Sequence, residues 1–215
     1  ALLKLIRSLR PRDISGRVII IPGLNFPALM AGRRLSPIDG RNMNRVFPGD
    51  RNGTITQVIA DYVYSQILPM VDAVYDLHSG GYSMFMMPSV MVHYLPDKKL
   101  MKDTVEAMKA FRAPVGLVIE ELDTEGMLDT AVETMGKIFV GAELGGGGVR
   151  TPETVAITEI GIRNVLKHFG MMKGKPEIPE WRGRRESRVM ETPDMSCFTM
   201  AMDDGLYEPF VELRD

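Results

Sequence analysis

Val74-Tyr75-Asp76-Leu77-His78-Ser79-Gly80-Gly81 decides how the rest of this chain is read. Val74 to Leu77 is a short, largely apolar run, the mark of a strand inside a sheet covered on both faces. His78 stands where that strand ends and a glycine turn begins. In an open α/β sheet ligands collect outside the carboxyl ends of the strands, so an imidazole there is placed to hold a metal over the sheet's mouth. Upstream, Asn42-Met43-Asn44-Arg45 offers amides and a guanidinium, groups that grip a carboxylate or polarise a carbonyl.

Working outward, strand and helix patterns alternate. Residues 17–22 are a continuous apolar run stopped by Pro22 and read as a doubly buried, hence parallel, strand. Residues 84–94, 115–119 and 137–143 read as further strands, the first interrupted by Pro88. Helical spacing of apolar residues marks 1–10, 54–68, 97–111, 128–135 and 152–169, the last closed by Gly170. Residues 23–53 show no period and carry Arg33, Arg34, Arg41, Arg45 and Arg51; a loop of that length inside a compact domain is usually functional. The expected fold is α/β, a mainly parallel or mixed sheet with helices on both faces. It spans residues 1–172, followed by a linker at 173–186 and the start of a small β domain at 187–215, with strands at 188–190, 196–200 and 207–213.

Composition narrows the function. The chain has 215 residues, 45% hydrophobic and 25% charged, with net charge −2 and pI about 6.0, so nothing points to a nucleic-acid or anionic-membrane partner. Cys197 is the single cysteine, which excludes an intrachain disulfide and a cysteine-rich zinc site and accords with a reducing cytoplasm. No apolar run reaches the ~18 residues needed to span a bilayer. The 17 methionines, clustered at Met84, Met86, Met87 and Met91, read as adaptable core packing.

Four blocks in this order resemble the succinylglutamate desuccinylase/aspartoacylase family of zinc hydrolases, relatives of the zinc carboxypeptidases. They are Ile21-Pro22-Gly23-Leu24-Asn25-Phe26-Pro27, Asn42 through Gly49, Asp76-Leu77-His78, and Ala142-Glu143-Leu144-Gly145-Gly146-Gly147-Gly148. The resemblance implies a zinc-dependent amidohydrolase that removes an acyl group from an N-acyl amino acid, a small-molecule partner. N-acetyl-diaminobutyrate from ectoine degradation is the implied substrate, and a homo-oligomer is possible. The family pattern also has an upstream Gly-x-His-Gly-x-Glu loop that gives a His and a Glu to zinc, and a longer β domain at the end. This sequence has neither, which implies an internal piece of the family's chain.

By that resemblance His78 is a zinc ligand, the third of about three that a catalytic site needs beside an open position for water. Zinc lowers the pKa of its bound water to about 7. Glu143 is then the general acid/base, Arg34 (with Arg33 competing) the donor to the oxyanion, and Asn44 and Arg45 the grip on the substrate carboxylate. Asp76 either orients His78 or caps the turn. His93 and His168 read as structural, and Glu120, Glu121, Asp123 and Glu125 as a solvated acidic turn. No Gly-Lys-Ser/Thr follows the four glycines, which argues against a nucleotide site. A carboxypeptidase-like metallopeptidase and a metal-free carboxylate-binding module are the alternatives.

Overall fold

Periodicity places the helices well. The computed structural model describes residues 1–120 and 124–205. Its helices are α1 (Leu2–Ser8), α2 (Phe26–Ala31), α3 (Ile55–Tyr62), α4 (Lys98–Phe111), α5 (Leu128–Thr134) and α6 (Pro152–His168). Caps set several boundaries. Asp97 accepts from the Lys99 and Leu100 N–H groups, both at 2.8 Å, to start α4, and Thr151 accepts from Thr154 N–H at 3.1 Å before Pro152 opens α6. α3 runs on through a wide turn (Val63–Ile67) and a tight one (Leu68–Met70).

The strands are β1 (Ala73–His78), β2 (Phe85–His93), β3 (Val115–Ile119), β4 (Ile138–Gly146) and β5 (Arg188–Thr192), in the order β1-β4-β2-β3-β5. β1 and β4, β2 and β3, and β3 and β5 pair in parallel, whereas β2 and β4 run antiparallel, so the sheet is mixed. A register shift between Met86 and Ser89 accommodates Pro88, which has no N–H to give the ladder. Alternation along β4 divides the core. Val140 packs with Val90, Phe111 and Ile157 under α4 and α6, while its neighbour Phe139 packs with Met43, Val63 and Val132 beneath α3 and α5. Gly161 of α6 gives the Phe111 ring the room in which α4 and α6 meet; a Cβ there would collide with it.

Four expectations need correction. Residues 17–22 form no strand, because among the described residues their backbone finds no hydrogen-bond partner. Residues 188–192 add to the edge of the main sheet beside β3 instead of opening a separate β unit. Residues 173–186 are not a loose linker: Trp181 is 3% exposed, packs into the core and stacks on Phe85 at 6.2 Å. Met195–Cys197 forms a single tight helical turn where a strand was expected, and residues 207–213 lie outside those described.

The long segment at 23–53 is held by Asp39. Its carboxylate accepts from the Thr56 N–H (2.9 Å) and hydroxyl (2.8 Å) at the start of α3 and from Arg41 N–H (3.2 Å). Burial works to raise this carboxyl, but the Thr56 and Arg41 hydrogen bonds outweigh it and hold the group well below the usual carboxylate range. A carboxyl depressed in the fold stabilises fully above its unfolded value of about 3.9, and that contribution is lost as pH falls through the folded value. Asp39→Ala is therefore expected to cost about 1–2 kcal/mol in urea unfolding at neutral pH. The difference from wild type should shrink as the solution is acidified below about pH 4. A pH-independent difference would count against the charge.

Candidate active site

β1 and β4 deliver the site. Their parallel register sets His78 directly opposite Glu143, at the carboxyl ends of both strands. Asp76, two residues back on the same face, reaches His78: its Oδ2 lies 2.6 Å from Nε2. A carboxylate only accepts, so Nε2 carries the proton and donates it, and in the neutral ring Nδ1 keeps its lone pair. That hydrogen bond raises the His78 pKa first of all. Burial opposes the rise, the Asp76 and Glu143 charges add to it, and Arg34 opposes it. Asp76 therefore orients the imidazole.

Glu143 is half-buried, and its Oε2 is buried with no hydrogen-bond partner. Burial raises its pKa, with His78 and Arg34 lowering it and Asp76 raising it. A buried carboxylate oxygen left unpaired is costly, and such groups mark places where something else binds or reacts. The guanidinium of Arg34 bears on both His78 and Glu143, whereas Arg33 contributes to neither shift.

The Asn42–Arg45 block is anchored elsewhere. Asn42 accepts from Asn44 N–H at 3.1 Å to start a tight turn (Met43–Arg45), and Met43 is buried beneath it. Asn44 Oδ1 accepts from Leu128 N–H at 2.7 Å, and Phe47 N–H donates to the Gly126 carbonyl at 2.9 Å. Part of Asn44 is therefore spent on holding the loop to the start of α5, leaving its amide nitrogen for a ligand. Arg45 is exposed, with one Nη 2.6 Å from the Asn44 carbonyl.

The four glycines serve close approach. Gly80 N–H donates to the Gly145 carbonyl (2.9 Å), Gly147 N–H to Met84 (2.9 Å) and Gly148 N–H to Gly81 (2.8 Å), so the end of β4 lies against the turn after His78. At Gly146 φ is +148° and a Cβ would strike the Met84 carbonyl and Gly80. His93 is buried with Nδ1 3.2 Å from Glu133, and His168 meets Phe169 edge-on at 4.9 Å; neither belongs to the site. Of the acidic turn, Glu121 and Asp123 lie outside the described residues. Asp39-Gly40 is a turn signature, the local mark of the carboxylate that ties this loop to α3.

Comparison with known proteins decides the family. The family model for the succinylglutamate desuccinylase/aspartoacylase catalytic domain matches residues 1–169. The chain belongs to the succinylglutamate desuccinylase/aspartoacylase family. It is 48% identical, over its whole length, to the N-alpha-acetyl-L-2,4-diaminobutyric acid deacetylase of Halomonas elongata, and covers 62% of that protein. It superposes with a TM-score of 0.90 on a succinylglutamate desuccinylase from Silicibacter sp. TM1040, at 44% identity over 100% of this chain and 63% of the other. The product-bound ectoine utilization protein of Ruegeria pomeroyi gives a TM-score of 0.90 at 43% identity, over 98% of this chain and 62% of that one. The chain thus spans somewhat under two thirds of the length of these family members.

The glycine packing around this family site is open to a direct check. Gly146→Ala should cost about 2 kcal/mol or more in denaturant unfolding, whereas Gly147→Ala, whose Cβ meets only Phe85 at 3.9 Å, should cost about 1 kcal/mol from its positive φ alone. Equal costs would mean that the approach to Gly80 and Met84 does not constrain the turn.

Proposed function

We propose that this chain carries the centre of a deacylase that hydrolyses an N-acyl amino acid, with N-alpha-acetyl-L-2,4-diaminobutyrate as substrate. The reading rests on Glu143 standing opposite His78, its Oε2 buried and unpartnered, with Arg34 acting on both. The substrate follows from the likeness to the Halomonas deacetylase.

The cleavage needs a proton carrier and a donor for developing negative charge. Glu143 takes the proton of the attacking water and returns it to the leaving amine, releasing the free diamino acid and acetate. The Arg34 guanidinium donates to the former carbonyl oxygen as the tetrahedral centre forms. The Asn44 amide nitrogen and Arg45 hold the substrate carboxylate. Zinc is part of the proposal, with the Nδ1 lone pair of His78 as one donor. Among the described residues no group of three His, Cys, Asp or Glu is arranged to hold a metal, so these residues alone do not fit a zinc centre, and no step here depends on one.

The test uses the full protein encoded by the gene. Acetate release from N-alpha-acetyl-L-2,4-diaminobutyrate should fall ~10²–10⁴-fold in kcat for Glu143→Gln and ~10²–10³-fold for Arg34→Ala. Arg45→Ala should act mainly through KM. Zinc measured per chain should drop in His78→Ala. Full turnover by Glu143→Gln would remove that residue from the chemistry. Substrate binding without any acetate release would favour the carboxylate-binding module.

A further inference from the structure

Strand pairing sets a row of side chains across three strands of the sheet. His78 of β1 lies opposite Glu143 of β4, and Glu143 lies opposite Ser89 of β2. Directly opposed residues project from the same face, with Cβ atoms ~4.5–5.5 Å apart. Ser89 therefore flanks Glu143 on the side away from His78. The row continues into Val115 of β3, so its polar part stops at Ser89. The register shift around Pro88 ends at Ser89, and the bulge thus decides which residue of β2 meets Glu143.

Two neighbours in this row are unpaired. Glu143 Oε2 is buried with no hydrogen-bond partner. Ser89 is 5% exposed, and its hydroxyl makes no hydrogen bond to a described residue. A buried acceptor and a buried donor, each costly to leave unsatisfied, stand side by side on adjacent strands.

A proton carrier works only when its carboxylate is held over the reacting atoms, and a glutamate side chain has several bonds about which to turn. His78 already has Asp76 to hold it. Along β4 the residues two before and two after Glu143 are Gly141 and Gly145, which have no side chain to offer. Arg34 bears on Glu143 through its charge. On the β2 side the neighbour with a hydrogen to give is Ser89.

We propose that Ser89 is the positioning residue for Glu143: its hydroxyl bonds Oε2, directly or through one water, and aims the carboxylate at the attacking water and the leaving amine. A hydroxyl both donates and accepts, so the same group serves Glu143 before and after it takes a proton. Ser89 would then do for Glu143 on the β2 side what Asp76 does for His78 on the β1 side.

This role rests on Glu143 as the proton carrier, and one set of variants of the full protein separates the two ideas. Acetate release from N-alpha-acetyl-L-2,4-diaminobutyrate should fall ~10–100-fold in kcat for Ser89→Ala, with KM within about twofold of wild type. Ser89→Thr, which keeps the hydroxyl, should recover most of that kcat. In a Glu143→Gln background Ser89→Ala should cost nothing further, because its effect passes through the carboxylate. Wild-type kcat in Ser89→Ala, with Glu143→Gln still crippled, would overturn the role of Ser89 and leave Glu143 in place. An equal loss from Ser89→Ala in both backgrounds would overturn it too, since the hydroxyl would then act elsewhere. A loss as deep in Ser89→Thr as in Ser89→Ala, with the urea midpoint lowered in both, would make Ser89 a packing residue and overturn it as well. Full turnover by Glu143→Gln would remove the proton carrier itself, and the role of Ser89 with it.

Discussion

The parallel pairing of β1 with β4 is the constraint on which the site depends. It brings the ends of two segments far apart in sequence together at the sheet's carboxyl edge, with His78 facing Glu143. Side-chain alternation then puts Asp76 on the same face, where its carboxylate fixes both the orientation and the tautomer of the imidazole. A slip of one residue in this register would send Glu143 to the other face of the sheet. The two core clusters, one on each face of β4, hold the register in place.

Around that pair the protein assembles its charges with backbone as much as with side chains. The turn after His78 lies against the end of β4 through hydrogen bonds from Gly80, Gly147 and Gly148, an approach so close that a Cβ on Gly80 or Gly146 would strike the Met84 carbonyl. The Arg34 loop is tied to α3 through Asp39, and the Asn44 turn to α5 through the Leu128 N–H. A long loop otherwise carries a large conformational freedom, and these ties limit it at the points from which functional groups project.

The same sheet explains why its two edges differ. At the β3 side, residues 188–192 supply a parallel partner, and the Trp181 segment before them covers the core. At the β1 side, a strongly β-forming run and β1 line one cavity, and the outer edge of β1 has no ladder partner among the described residues.

The sequence by itself determined α1, α3, α4, α5 and α6 and the strands at 74–77, 115–119 and 137–143, whereas α2 lies in the segment it marked as loop. Periodicity and punctuation are local signals, and the family blocks carried the rest. Tertiary structure decided what depends on neighbours. Residues 17–22 have every local mark of a strand, but a strand exists only with a partner to bond. The charge of Arg34, and not that of Arg33, bears on His78 and Glu143, and Asn44 gives its oxygen to Leu128 because α5 begins beside it. The antiparallel pairing of β2 with β4, and the joining of residues 188–192 to the main sheet, are long-range choices with no local mark. Local sequence fixes what a segment can be; the partner across the ladder fixes what it is.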